Sequence, residues 1–151
     1  MRARKFGKII NISSIGGKIA TPLGGWYHAS KFALEGYSDA LRMEVLPFGI
    51  DVIVIEPAGT ESEWIPIAIE QAERYSAKGA YAKLVAALRT SSAWQRKMPP
   101  ASSITELVLE ALKSRRPRTR YLGGGGAGLI LFMRRFLPDR TLDHIIMSAL
   151  R

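Results

Sequence analysis

A phenol and an ammonium group lie four residues apart in the sequence, at Tyr27 and Lys31. In a helix, side chains at this spacing share one face. A phenol ordinarily has a pKa of about 10, which makes it a poor base and a weak acid near neutral pH. A cation nearby favours the phenolate, and this brings a phenol closer to the working range of general acid–base catalysis. The pair therefore predicts proton transfer to or from an oxygen atom.

A hydroxyl group completes the candidate site. Ser14 precedes Tyr27 by 13 residues and lies at the carboxyl end of an apolar run that is typical of a strand. Ligands bind at the carboxyl ends of strands in an open parallel sheet. The strand end and the start of the next helix would bring the hydroxyl, the phenol and the ammonium to one crevice, where the hydroxyl can hold a carbonyl or alcohol oxygen.

Three elements must position these groups. Two runs rich in isoleucine and valine, Gly7–Ser14 and Ile50–Glu56, are typical of strands covered on both faces, as in a parallel sheet. Between them, apolar residues recur every three or four positions from Tyr27 to Leu46, which predicts a helix closed by Pro47 and Gly49. A right-handed crossover in such a strand–helix–strand unit makes the two strands parallel.

The rest of the chain is predicted to be mostly helical. Glu61–Lys97 is expected to form a long helical region, and Ile104–Ser114 a further helix with Ser102 or Ser103 as its cap. Residues 118–122 suit a short third strand. The predicted fold class is therefore α/β, with strands near 7–13, 51–56 and 118–122. The long helical region carries four aromatic residues, Trp64, Tyr75, Tyr81 and Trp94.

The motifs together resemble a known family. Asn11-Ile12-Ser13-Ser14, then Tyr27-x-x-x-Lys31, then a strand ending in Pro57-Ala58-Gly59 are similar to the catalytic half of a short-chain dehydrogenase/reductase. Lys31-Phe32-Ala33-Leu34-Glu35-Gly36 and Ile55-Glu56-Pro57 resemble the branch with 17β-hydroxysteroid and retinol dehydrogenases. Each motif alone is weak, but their order and spacing are specific. The implied fold is the C-terminal half of a doubly wound, Rossmann-type parallel sheet.

The resemblance implies a role for each site residue. Ser14 would orient the substrate oxygen, Tyr27 would exchange its proton, and Lys31 would favour the phenolate and bind the nicotinamide ribose. The cofactor would be NAD or NADP, and the substrate an apolar carbonyl or alcohol. The resemblance also implies a homo-oligomer, formed through the helix before the catalytic strand together with the Tyr27–Leu46 helix. The expected cofactor-binding residues are Tyr27, Lys31, Pro57, Ala58, Gly59, Thr60 and Ser62.

Two departures from the family pattern stand out. Ala58 occupies a position where glycine is usual, and its methyl group would crowd the cofactor or shift the backbone. The family's glycine-rich pyrophosphate turn, and the residue that selects NAD or NADP, precede the motifs found here. Because each strand–helix–strand step takes about 30 residues, roughly 100 residues or more would precede Gly7. Residues 1–151 are thus expected to be one partial domain.

Composition excludes several other classes of protein. The 151-residue chain has no cysteine, so disulfide scaffolds, thiolate zinc sites and cysteine nucleophiles are excluded, and with two histidines no metal site is expected. The net charge is +9, which favours anionic ligands such as nucleotides. No apolar run approaches the length of a membrane span, and no signal peptide is evident, so the predicted location is cytoplasmic.

Other patterns have competing interpretations. Gly123–Gly128 matches G-x-G-x-x-G, but no second strand with an acid follows, so a flexible connection is favoured over a dinucleotide site. Five cations within Lys113–Arg120 suit either a phosphate backbone or a solvated helix end. The second is favoured, and no nucleic-acid partner is expected. Leu129–Leu137 suits a peripheral membrane contact or, more commonly, a cover over a substrate cleft or a subunit contact.

Two functional alternatives also stay open. A Ser14–His28 hydrolase would need a G-x-S-x-G elbow, which the sequence lacks. The second alternative is a non-catalytic interaction module that retains the family's catalytic residues. In that case Gly7–Ser13 would be an unpaired sheet edge, and such an edge demands a partner or self-association.

Overall fold

The computed structural model describes residues 1–91 and 98–150. Three strands form one sheet in the order β1 (Gly7–Ile12), β2 (Ile50–Pro57) and β3 (Arg120–Gly123), and neighbouring strands are parallel. The predicted α/β class with a parallel sheet is confirmed. The described residues contain six α-helices: α1 (Gly25–Val45), α2 (Trp64–Ser76), α3 (Ala82–Thr90), α4 (Ser102–Lys113), α5 (Ala127–Phe136) and α6 (Asp139–Ser148).

The register places all three carboxyl ends at one edge of the sheet. Ile12 pairs with Ile55, and Pro57 at the end of β2 pairs with Gly123 at the end of β3. The loop after β1, the turn after β2 and the glycine cluster after β3 therefore meet there. This is the edge at which the sequence places the candidate site.

The central strand carries the core. Ile53 and Ile55 of β2 are buried with Tyr121 of β3 and Ala111 of α4, and Leu107 packs against this cluster. A strand flanked by two others and covered by helices has no solvated face, which explains its nearly continuous isoleucine and valine.

A lysine from β1 caps α4. Lys8 Nζ donates hydrogen bonds to the carbonyl oxygens of Ala111, Leu112 and Ser114 at 2.8, 2.7 and 2.6 Å. The last carbonyl groups of a helix have no partner within the helix and carry partial negative charge, so an ammonium group there stabilises the helix end. The contact attaches α4 to the sheet.

Helix α1 closely follows the prediction. It begins two residues before Tyr27 and ends at Val45, followed by a 3₁₀ turn over Leu46–Phe48. Gly49 then has a φ of +64°, and a Cβ there would lie 2.5 Å from the carbonyl oxygen of Lys5. Only glycine fits this turn, because both the backbone angle and the space exclude a side chain.

Two helical predictions were wrong in detail. Glu61–Lys97 contains two separate helices, α2 and α3, over its described part, while Trp94 lies outside the described residues. Helix α4 begins at Ser102 with Ala101 at the cap position, so neither predicted serine caps it. The Ser103 hydroxyl instead donates to the Pro100 carbonyl at 2.7 Å, a local bond that competes with capping.

Candidate active site

Ser14 links two loops at the carboxyl edge of the sheet. It follows β1 and caps a 3₁₀ turn over Ile15–Gly17. Its Oγ accepts a hydrogen bond from Gly16 N at 3.0 Å and donates one to Pro57 O at 3.3 Å. The hydroxyl is therefore held between the end of β1 and the turn after β2, which follows from the pairing of these strands.

Tyr27 and Lys31 lie on one face of the first turns of α1. Lys31 Nζ donates to Ile12 O at 3.1 Å and lies 5.9 Å from the centre of the Tyr27 ring. A Cβ built on Gly16 would be 2.8 Å from Tyr27 Cε1, so the loop after Ser14 presses against the phenol ring. The structure thus brings the hydroxyl, phenol and ammonium groups to the end of β1.

The turn after β2 rests on the glycine cluster. Ala58 N donates to Gly123 O at 2.6 Å, and Gly59 forms an isolated antiparallel bridge with Gly125. Thr60 Oγ1 bonds back to the Ala58 carbonyl at 3.0 Å. The sequence pattern favoured a flexible connection for this cluster, whereas the structure shows it supporting the Pro57–Thr60 turn.

Ser62 and Ala58 occupy different settings from those expected. Ser62 is exposed beyond the turn, and it makes no recorded hydrogen bond within the described chain. The methyl group of Ala58 lies against Gly124, because a Cβ built on that glycine would be 3.1 Å from Ala58 Cβ. The extra methyl group at the usual glycine position is accommodated by the neighbouring turn.

His28 is a site residue that the sequence did not reveal. Its ring is buried and bonds to Gly16 O through Nδ1 at 2.9 Å and to Thr21 N through Nε2 at 3.0 Å. Both ring nitrogens thus form hydrogen bonds with the loop between Ser14 and α1. This assignment gives no support to the Ser14–His28 hydrolase, which would need a ring nitrogen on the Ser14 hydroxyl.

A network of ion pairs lies one turn of α1 after Lys31. Glu35 of α1 pairs with Lys18 Nζ at 2.8 Å and with the Arg120 guanidinium at 3.0 Å. Arg120 also pairs with Glu56 at 3.1 Å and with Asp39 at 2.9 Å. The network joins the loop after Ser14, the end of β2, β3 and α1, which together carry the candidate site residues.

The pKa values of the carboxyl groups in this network are shifted in opposite directions. Burial by itself would raise the pKa of Glu35, but bonds to Lys18 and Arg120 outweigh it, and the pKa is lowered. Burial likewise opposes ionisation of Asp39, and Arg120 and Arg42 lower its pKa overall. Burial raises the pKa of Glu56, and the nearby negative charge of Glu35 adds to this.

An open cavity of about 820 Å³ lies beside the phenol. It runs between the segment that begins α1 and the face of α2, and the Trp64 ring lies 4.5 Å from the Tyr27 ring, centre to centre. Most of its wall is apolar. Its larger lining side chains are those of Leu23, Trp26, Tyr27, Trp64, Ile69 and Tyr75.

Membrane-spanning helices and metal-binding clusters are both absent from residues 1–91 and 98–150. No helix in these ranges is both long and apolar enough to cross a bilayer. In the same ranges, no group of three or more histidine, cysteine, aspartate or glutamate side chains is arranged to hold a metal ion.

Comparison with known proteins gives a consistent result. The family model described as short chain dehydrogenase matches residues 1–67. A probable short-chain type dehydrogenase/reductase from Helicobacter pylori, VdlC, is 35% identical over 96% of this chain and 53% of its own length. Retinol dehydrogenase 5 from Mus musculus is 32% identical over 93% of this chain and 48% of its own length. The chain spans about half the length of the curated relatives it matches.

Solved structures share the same fold. A short-chain dehydrogenase from Streptomyces avermitilis aligns with a TM-score of 0.66 and 28% identity, over 98% of this chain and 51% of that one. An actinorhodin polyketide ketoreductase solved with NADPH gives a TM-score of 0.58 and 26% identity, over 83% and 49%. Together with the parallel sheet, these matches show that the chain is similar over nearly its whole length to about half of a short-chain dehydrogenase/reductase.

Proposed function

We propose that the protein is an oxidoreductase that transfers a hydride between NAD(H) or NADP(H) and a carbonyl or alcohol substrate. The observation that carries this proposal is the meeting of Ser14, Tyr27 and Lys31 at the carboxyl end of β1, beside an apolar cavity. Similarity to this family and the ketoreductase solved with NADPH support a nicotinamide cofactor. They do not choose between NAD and NADP.

The residues around the turn after β2 fit a nicotinamide group. A Cβ built on Gly59 would meet only the Met98 side chain, at 3.4 Å, so the backbone there is open to a flat ring. The Ala58 methyl group packs against Gly124. Tyr27 and Lys31 would hold the ribose, and the Pro57–Thr60 turn with Ser62 would line the nicotinamide. When bound, the cofactor supplies or accepts the hydride.

The chain's own residues would handle the oxygen and its proton. In the reducing direction the Ser14 hydroxyl would leave its long bond to Pro57 O and donate to the substrate carbonyl, while Gly16 N keeps Oγ in place. Tyr27 would donate its hydroxyl proton to that oxygen as negative charge develops. The Lys31 ammonium, 5.9 Å from the ring, would stabilise the phenolate that results. In the oxidation of an alcohol, the same proton would move from the alcohol oxygen to Tyr27.

The cavity supports an apolar substrate. Trp26, Trp64 and Tyr75 present aromatic surface along the route to Tyr27, and apolar walls favour ligands that lose little hydration on binding. A homo-oligomer is proposed through α1, because Phe32, Tyr37 and Met43 are 45%, 60% and 66% exposed on it. The cytoplasmic location stays a prediction.

The test is turnover by the purified product of the complete reading frame. NADH and NADPH are each supplied with a panel of apolar ketones, and consumption of the reduced cofactor is followed. Tyr27→Phe should lower kcat by about 10²- to 10⁴-fold, a larger effect than its change in cofactor affinity. Tyr81→Phe, at an exposed tyrosine outside α1 and outside the cavity lining, should match the wild type. Wild-type kcat in Tyr27→Phe would overturn the proposed role.

The alternative of a non-catalytic interaction module has no support from the comparisons. It predicts a chain that binds a partner and shows no turnover with either cofactor. Turnover that requires a nicotinamide cofactor and is lost in Tyr27→Phe would exclude it.

A further inference from the structure

One buried imidazole joins the segments that carry the two site hydroxyls. His28 follows Tyr27 in α1 and is 7% exposed. Its Nδ1 faces the carbonyl oxygen of Gly16, and its Nε2 faces both the backbone N–H and the hydroxyl group of Thr21, at 3.0 and 2.9 Å. The hydroxyl group can donate or accept, so the two backbone partners decide the tautomer. A carbonyl can only accept and an N–H can only donate, so the ring satisfies both when it is neutral with its hydrogen on Nδ1.

Two glycines make room for this ring. A Cβ on Gly16 would lie 3.1 Å from His28 Nδ1, and a Cβ on Gly24 would lie 2.9 Å from Nε2. The loop is therefore closed around the imidazole on both sides. A ring in this setting has one orientation, with each nitrogen on its own backbone partner.

Gly16 transmits the position of the imidazole to the reacting groups. Its N–H donates to Ser14 Oγ, and its backbone presses on the edge of the Tyr27 ring. His28 bonds to the carbonyl of the same residue. The imidazole is thus bonded to the residue that contacts both the serine hydroxyl and the phenol ring.

We propose that His28 is a positioning residue, whose neutral Nδ1–H form holds the loop from Ile15 to Gly24 so that Ser14 and Tyr27 converge. This inference rests on the proposed function wherever activity is measured. Loss of the imidazole would leave the buried Gly16 O and the partly buried Thr21 N without a side-chain partner, and the loop would shift to recover them. Small displacements of reacting groups lower kcat strongly.

The first test does not need activity. In ¹⁵N-histidine NMR of the product of the complete reading frame, His28→Gln and His144→Gln assign the ring spectra of the two histidines in this sequence. His28 should show a protonated Nδ1 and an acceptor Nε2, whereas the exposed His144 should average between tautomers. An Nε2-protonated or averaging His28 would overturn the proposal, whatever the turnover assay shows.

The second test compares two replacements of His28. Glutamine offers one donor and one acceptor, and leucine offers neither. His28→Leu should lower kcat about 10- to 100-fold, with a much smaller change in the KM for the cofactor, and His28→Gln should recover most of the loss. A structural role alone would lower the folded fraction and leave kcat per folded molecule unchanged. Equal kcat in wild type and His28→Leu, or equal loss in both variants, would contradict the proposal.

If His28→Leu does not fold, a third variant can test the positioning role. Gly24→Ala keeps the imidazole and pushes on Nε2, so it should lower kcat and alter the His28 ring spectrum together. Gly36→Ala adds a methyl group to the same helix in open space and should change neither. A wild-type ring spectrum and kcat in Gly24→Ala would count against positioning by His28. Turnover absent from every variant and from the wild type would overturn the proposed function, while the ring spectra would still decide the geometry.

Discussion

The Cβ of Ala58 lies against the backbone of Gly124. A Cβ built on Gly124 would be 3.1 Å from Ala58 Cβ and equally close to the Ala58 backbone nitrogen and carbonyl carbon. Gly124 also has a φ of +95°, a conformation that other residues rarely adopt. The turn after β2 and the turn after β3 therefore fit together only because Gly124 has no side chain, and the candidate cofactor turn depends on that fit.

Gly124→Ala should destabilise the protein by about 2 kcal/mol, because it adds both a strained φ and a contact with Ala58. Gly125 is a matched control, since a Cβ there meets nothing within 4 Å and its φ is not in the left-handed range. Urea denaturation measures both variants. Equal losses in Gly124→Ala and Gly125→Ala would contradict the argument.

The same contact can be tested by a double-mutant cycle. Ala58→Gly removes the Cβ that a new Gly124→Ala methyl group would meet, while the strained φ and the backbone contacts stay. Gly124→Ala should therefore cost less in the Ala58→Gly background than in the wild type. Strict additivity of the two changes would show that the methyl groups do not meet.

The strands and the Tyr27–Lys31 pair could be predicted because their signals are local. Isoleucine and valine runs mark buried strands, and a four-residue spacing fixes a helical face whatever the loops do. The role of His28 could not be predicted from the sequence. It depends on a loop that folds back so that Gly16 O, 12 residues earlier in the chain, meets the ring. The glycine cluster after β3 was misinterpreted for the same reason, because its partner, the turn after Pro57, lies more than 60 residues earlier in the sequence.

Arg120 should contribute more to stability than its position on a short strand suggests. Its guanidinium contacts the buried carboxyl groups of Glu35 and Glu56 and the partly exposed one of Asp39. Removing it takes away the closer of the two cations beside the buried Glu56, since Lys18 lies 3.7 Å away. Arg120→Met should cost about 3 kcal/mol in free energy of unfolding. Arg89→Met removes an exposed pair with Glu73 and should leave stability near wild type. Similar values for the two variants would contradict a buried network.

Acid should weaken the fold through Glu35 and Asp39. Their pKa values are lowered in the folded protein, so their ionised forms favour folding. This stability is complete above the ordinary carboxyl range near pH 4 and is lost as the pH falls through the lowered folded values. The free energy of unfolding should therefore fall from pH 5 towards pH 2 less steeply in Glu35→Gln than in the wild type. Parallel curves would contradict the pKa assignment.

Glu56 should show the opposite dependence. Because burial and the charge of Glu35 raise its pKa, its protonated form is favoured in the fold, and stability is lost as the pH rises through the raised value. Glu56→Gln mimics the protonated group. Its Tm relative to wild type should therefore increase from about pH 4 to pH 7. A relative Tm that falls over this range would mean that the ion pair with Arg120 outweighs burial.

Trp64 should set the preference for apolar substrates, in keeping with the proposed function. Its ring lies 4.5 Å from the Tyr27 ring and forms part of the cavity wall, so an apolar substrate that reaches the phenol would pack against it. Trp64→Ala should raise the KM for a bulky apolar ketone about tenfold, and Trp64→Phe should preserve most of the affinity. The KM for a short, water-miscible ketone should change little, because such a substrate covers little of the indole. Equal effects on both ketones would show that the variant disturbs Tyr27 itself and that the cavity does not select the substrate.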